Sequence, residues 1–256
     1  LLAYPPNGAV ETVISKVTVL HADLDFTTAD GIRHTLWRPS QGDMAQLKAA
    51  FETVEHAYIA DGHHRVASSI KMAESHPNRG AAHAFMALLV SGDSLMFRGF
   101  HRTVEIKDRQ LCEKVLARLP QLNGAVWSAG FQERQPSEDC IRLRGAISGT
   151  LHINEALAAQ GITAAEWLQS EVLQPLFDIS EPRTDRRLNY IPGDLAHDEL
   201  EAATRDQDRL AFIMPPMTFE GLQAVADAGR HLPPKSTWIA PKLRSGMTLF
   251  DFGSTS

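Results

Sequence analysis

The chain has 256 residues, 43% hydrophobic and 22% charged, with a formal net charge of -6, a balance that belongs to folded globular proteins and not to disordered ones. Its longest apolar stretch, Ala84–Val90, falls well short of the roughly 20 residues a spanning helix needs, and no signal-peptide pattern stands at the start, although Leu1 is not an initiator methionine. The acidic balance and the lack of a Lys/Arg run interleaved with aromatics set nucleic acid aside as a main ligand, and the two cysteines, Cys112 and Cys140, have neither metal-ligand spacing nor the number of a disulfide framework. A soluble protein of a reducing cytoplasm, without membrane contact, is expected.

In chain order, KVTVL at Lys16–Leu20 reads as a strand, TADG as a turn, and IRHTLWRP at Ile32–Pro39 as a half-buried strand by its alternation. Ser40 to Asp43 offer caps for a helix whose Met44, Leu47 and Phe51 share a face. AYIA, with Tyr58–Ala60, reads as a buried strand at the centre of a mixed sheet. A helix then starts close to His63, with Val66, Ile70 and Ala73 as its buried stripe, and His76-Pro77-Asn78-Arg79-Gly80 stops it. AFMALLVS and LMFRGFHRTVEI read as two strands of a hairpin turned at Gly92-Asp93. Asp108 begins a further helix, RQLCEKVLARL. Between Ala125 and Leu195 the pattern weakens to short β-like pieces, a helix in TAAEWLQSEVLQPLF and a polar loop from Ser180 to Asp194. DELEAATRDQ and TFEGLQAVADAG read as helices, and RLAFIM, STWIA and MTLFDF as strands.

The sequence DGHHR, Asp61 to Arg65, stands where a strand passes directly into a helix. The first backbone N–H groups of a helix lack intrahelical partners and, with the helix dipole, attract anions; glycine lets a ligand approach where a Cβ would obstruct it. Arg65 adds a two-pronged donor for phosphate oxygens, and His63 and His64 can donate hydrogen bonds or move a proton. A carboxylate in that place repels phosphate, so Asp61 makes sense as a Mg²⁺ ligand or as a base toward a hydroxyl nucleophile. The plainer alternative has Asp61 capping the helix, solvated histidines, and Arg65 paired with a surface carboxylate. A zinc pair is disfavoured because adjacent helical positions do not face one another.

Farther on, His101 and Arg102 point to opposite faces of a regular strand, with His101 assigned to the site and Arg102 to the structure. GRHLPPKST, Gly229–Thr237, nearly matches a phosphate loop, but Pro234 replaces its second glycine and a helix precedes it. Lys235, Ser236, Thr237 and Lys242 are left as a polar cluster, and the His101 and Lys235–Lys242 segments are expected to approach Asp61. PRTDRR, Pro182–Arg187, invites a similar anion reading, but its three arginines with Glu181 and Asp185 suit a surface salt-bridge cluster at least as well.

YIADGHHR, FHRTVEI, RRLNYIPG, LAFIMPP and LPPKSTWIAPKLRSGM, in this order, resemble the bacterial and archaeal domain of unknown function number one-thousand-fifteen. The strand–DGHHR–helix unit also resembles the nucleotide-binding core of the ParB and sulfiredoxin superfamily, whose ADP-dependent serine kinase carries a DGHHR of this form. The resemblance implies an α/β (α+β) fold: a ParB/sulfiredoxin-like mixed sheet with helices over residues 1–107, N-terminally incomplete, and an α/β region over 108–256 packing on it. It implies a nucleotide whose phosphates sit on the loop and helix start formed by Asp61, Gly62, His63, His64 and Arg65. Joined to the residue reading, this gives ATP or ADP, with Mg²⁺, held by Gly62, His63, His64, Arg65, His101, Lys235 and Ser236, with Asp61 as metal ligand and Asp61 and His64 as catalytic groups. The serine kinase's glutamate base has no aligned counterpart here, and sulfiredoxin chemistry lacks its cysteine. The leading reading is a kinase-like phosphotransferase acting on a small hydroxyl compound such as an amino acid. A nucleotide-binding regulatory module without catalysis and a metal-dependent phosphoester hydrolase, with Asp61, His63, His64 and His101 as ligands, are the alternatives.

Overall fold

The computed structural model describes residues 1–106, 108–130, 140–193, 196–205, 208–240, 244 and 246–251. It is a mixed α/β structure in two compact units, Leu1–Leu95 with Leu243–Ser256, and Met96–Lys242. Lys242 lies outside the described residues. No described helix is long and apolar enough to cross a membrane.

The first unit runs β1 (Leu2–Tyr4), α1 (Gly8–Thr18), β2 (Leu24–Thr27), β3 (Arg33–Leu36), α2 (Gln41–Phe51), β4 (Tyr58–Ile59), α3 (His63–Ser75) and β5 (Leu89–Ser91). Local chemistry explains the helix starts: Asn7 Oδ1 accepts from the amides of Ala9 and Val10, and Ser40 Oγ accepts from that of Asp43. Tyr4, Val10 and Ala50 form the buried centre, joined by Leu47 and Phe51, whereas Met44 on the same helix is exposed. The Lys16 ammonium meets the Asp43 carboxylate at 2.6 Å and ties α1 to α2.

Three expectations fail between Leu1 and Ser75 of this unit. Lys16–Leu20 is not a strand: Val17 continues the helical stripe of Val10 and Val13, all three buried, so tertiary burial at helical spacing overrides the β-branched composition. β4 lies at an edge of its mixed sheet, in the order β4-β1-β5; β1 is central, antiparallel to β4 and parallel to β5. α3 does begin at His63, but none of its residues is fully buried and Ile70 is 55% exposed, because it packs mainly on the short turn Gly80–His83.

The second unit contains β6 (Met96–Arg98), β7 (Phe100–Glu105), α4 (Arg109–Arg118), β8 (Ala125–Ala129), β9 (Cys140–Gly145), β10 (Gly149–Ile153), α5 (Glu155–Ala159), α6 (Ala164–Leu168), α7 (Gln174–Phe177), β11 (Leu188–Pro192), α8 (Ala196–Thr204), β12 (Arg209–Ile213), α9 (Phe219–Asp227) and β13 (Trp238–Ala240). Its main sheet has the order β11-β7-β12-β9-β10-β8, antiparallel throughout. One face carries Val104, Leu143, Leu188, Leu210 and Phe212 into the large core with Trp167, Leu168 and Phe177; the other packs Ile191, Ala211 and Ile213 with Leu200 of α8.

The expected hairpin at Gly92-Asp93 is absent. Gly92–Ser94 form a short 3-10 turn, β5 pairs with β1, and β6 and β7 pair elsewhere, so two apolar runs close in sequence serve different sheets. The Ser180–Asp194 loop contains β11, which pairs with β7. Met247–Asp251 are irregular, not a strand. In PRTDRR the expected ion pairing holds: Arg187 meets Asp185 at 2.5 Å and donates to the carbonyls of Phe177 and Asp178, closing the end of α7.

Candidate functional site

The strand-to-helix junction is built around Gly62. This residue is the N-cap of α3 and adopts a left-handed backbone, φ 88° and ψ 27°, and no side chain caps the helix. Glycine reaches that conformation without the penalty a Cβ brings. Asp61 is not the cap: its Oδ1 accepts from the Gly62 amide at 2.8 Å, one residue too early to serve the first turn. The helix carries no acidic residue in its first turn. Its positive end is therefore not covered by a capping side chain, and the adjacent Asp61 carboxylate stands just before it.

Arg65 folds back over this point. Its Nε and Nη2 lie 3.0 Å from where a Cβ of Gly62 would stand, and its Nη2 is 3.7 Å from Asp61 Oδ2, with both side chains substantially exposed. His63, His64 and Arg65 all face solvent. The structure thus gathers Asp61, Gly62, His63, His64 and Arg65 at one exposed corner, with amide donors and a guanidinium on the anion-attracting side and one carboxylate beside them. Arg65 does pair with a carboxylate, as the plainer alternative holds, but within the cluster itself.

The other candidates belong to the second unit. His101 and Arg102 on β7 are both buried, 7% and 2% exposed, since the sheet is covered on both faces. His101 Nδ1 accepts from the Met214 amide at 3.0 Å, which leaves the ring proton on Nε2. Burial, then the charges of Arg142 and Arg102, push its pKa down to about 4, so the ring is neutral at pH 7. Lys235 has a left-handed backbone, φ 55°, and sets its ammonium 5.2 Å from the centre of the Phe100 ring. Ser236 Oγ donates to the Pro233 carbonyl at 2.6 Å and closes that turn.

Residues 1–158 match the family described as "Protein of unknown function (DUF1015)". The chain belongs to this family. Among solved structures, a mutant free serine kinase in complex with ADP is 16% identical, with a TM-score of 0.43 over 93% of this chain and 83% of that one. Free serine kinase in complex with AMP gives 17%, 0.42, 93% and 83%, and SbnI with C-terminal truncation from Staphylococcus aureus gives 11%, 0.44, 97% and 81%. No curated protein matches.

In this family member, sequence reading passed over the surroundings of Arg102. Tyr190 stands directly across the ladder from it, and the arginine lies 5.7 Å from the centre of that ring. The signal was present as a charged residue inside an apolar strand pattern, but alternation alone does not tell a solvent-facing arginine from a buried one.

Proposed function

We propose that the Asp61–Arg65 junction binds the phosphates of ATP or ADP, and that the protein is a kinase-like phosphotransferase acting on a small hydroxyl compound such as an amino acid. The observation that carries this is the uncapped start of α3 at left-handed Gly62, with the Arg65 guanidinium folded over it. Phosphate oxygens take the amides of the first turn, and Arg65 supplies charge-assisted hydrogen bonds. His63 adds a ring N–H donor.

In the transfer, the acceptor hydroxyl oxygen forms a bond to the terminal phosphorus while the bond from that phosphorus to the bridging oxygen of the nucleotide breaks. The hydroxyl proton goes to the Asp61 carboxylate, with His64 beside it to pass the proton to solvent. Most of the catalysis in such a reaction is positioning and electrostatic stabilisation. Asp61 also fits a magnesium ion by its chemistry: it is a carboxylate with a substantially exposed side chain beside the proposed phosphate position, and Mg²⁺ typically takes one or two carboxylates together with phosphate oxygens and water. When bound, the ion neutralises charge on the phosphoryl oxygens.

The hydrolase alternative has less support, because among the described residues no three His, Cys, Asp or Glu side chains gather as metal ligands. Calorimetric titration with ATP and ADP, with and without Mg²⁺, followed by a phosphate-transfer assay over small hydroxyl compounds, tests the proposal. Binding with transfer supports the kinase, binding without transfer to any compound leaves a regulatory module, and no binding removes the site.

A further inference from the structure

Arg102 presents a problem that the phosphate corner does not solve. Its side chain is almost wholly enclosed, yet no carboxylate pairs with it among the described residues. Nη1 donates to the Phe100 carbonyl at 3.0 Å, and Nη2 has no hydrogen-bond partner. An enclosed charge without a counter-ion is costly, and an unmet donor adds to that cost. Burial pushes the guanidinium down to about 10, with Tyr190 acting in the opposite direction, so it stays protonated at neutral pH.

A second cation without a carboxylate partner among the described residues stands over a ring of this sheet face. Phe100 lies two residues from Arg102 on β7 and therefore on the same side. Its ring meets those of Tyr190, centroids 6.1 Å apart, and Trp238, 5.6 Å apart, both edge-on. Lys235 stands over Phe100 with its exposed ammonium, again without a carboxylate partner among the described residues. The result is an aromatic wall of Phe100, Tyr190 and Trp238 flanked by two cations that pair with no acid among the described residues. A cation over a ring face is favourable, but it does not neutralise the charge.

We infer that this face of the second unit binds a small carboxylate, which Lys235 meets at the surface and Arg102 Nη2 holds behind the Phe100–Tyr190 pair. A carboxylate fits better than a phosphate dianion. Arg102 has one guanidinium nitrogen to offer, and an aromatic wall replaces little of the hydration that a dianion would lose. The inference does not rest on the nucleotide reading. Nucleotide binding without carboxylate binding would overturn this site alone, and the reverse result would overturn only the phosphate corner.

The test is an NMR titration of the full chain, with ¹⁵N,¹³C-labelled arginine and lysine, against acetate, inorganic phosphate and chloride at matched ionic strength. The expected result is a saturable acetate shift at the Arg102 guanidinium and the Lys235 side chain. Lys235→Met should weaken it about ten-fold, the usual cost of one charge-assisted contact. Lys235 is exposed, so this variant keeps the fold even where Arg102→Lys does not. An equal response to chloride, saturation by phosphate but not by acetate, or unchanged acetate affinity in Lys235→Met each overturns the proposal. So does the absence of any saturable shift, which would leave Arg102 with an internal water only.

Discussion

The guanidinium of Arg65 occupies the space above Gly62, with Nε and Nη2 3.0 Å from the position of a Cβ there. One glycine therefore serves two ends, a left-handed helix start and the seat of the arginine. Gly62→Ala should cost about 1 kcal/mol through its backbone alone. It should also push Arg65 away and lower nucleotide affinity by more than the stability loss accounts for. Chemical denaturation and calorimetric titration of the same variant separate the two effects, and unchanged affinity would show that the seat is not used.

Arg65→Ala should weaken nucleotide binding roughly ten- to a hundred-fold, the range for losing a charge-assisted phosphate contact. Asp61→Asn should act differently. The Asp61–Arg65 pair is long and exposed, and such pairs add little stability, so the fold should be unaffected. With less repulsion toward phosphate, nucleotide without Mg²⁺ should bind as well or better, while phosphate transfer falls by about 100-fold or more. Intact transfer in this variant would remove Asp61 from the chemistry.

His101 makes stability depend on pH. Its folded pKa is about 4 against 6.5 when exposed, so as pH falls the unfolded chain binds the proton first. The stability is fully present above pH 6.5 and declines between there and about pH 4, by about 3 kcal/mol at most. Urea denaturation between pH 4 and 8 should show this slope, and His101→Gln, whose amide oxygen can still accept from Met214, should flatten it.

Asp43 gives the same direction of pH dependence for the opposite reason, because here it is the charged form that the folded state favours. Hydrogen bonds from Lys16 and then Ser40 hold its carboxyl below the usual carboxylate range. Its contribution is present above the unfolded carboxylate value and disappears as pH falls through the lower folded one. Lys16→Met should lower the melting temperature by a few degrees at pH 7 and have little effect once Asp43 is protonated. A loss that persists in acid would point to packing of the lysine stem instead.

The helix starts were legible because their causes are local. Ser40, Asp108 and the Asp61-Gly62 step sit within a few residues of the amides they serve or expose, and α2, α4 and α3 begin where those residues say. The clustering of Asp61 to Arg65 at the start of α3, on which the phosphate proposal rests, was legible for the same reason, since all five residues are consecutive.

Other features were decided at a distance. Lys16–Leu20 has strand-like composition, but Val17 is buried together with Val10 and Val13, and that shared burial keeps the chain helical through Thr18. The two apolar runs on either side of Gly92-Asp93 look like a hairpin, yet β5 finds its partner in β1, nearly ninety residues back, and β7 finds partners in β11 and β12. Pairing of that kind depends on which edges and faces are available once the chain has collapsed, and local alternation carries no record of it. His101 and Arg102 are the sharpest case. The sequence by itself determined that they point to opposite faces of a strand. Only the tertiary structure, by covering both faces of that strand, turned one into a neutral buried acceptor and the other into an enclosed charge with an unmet donor.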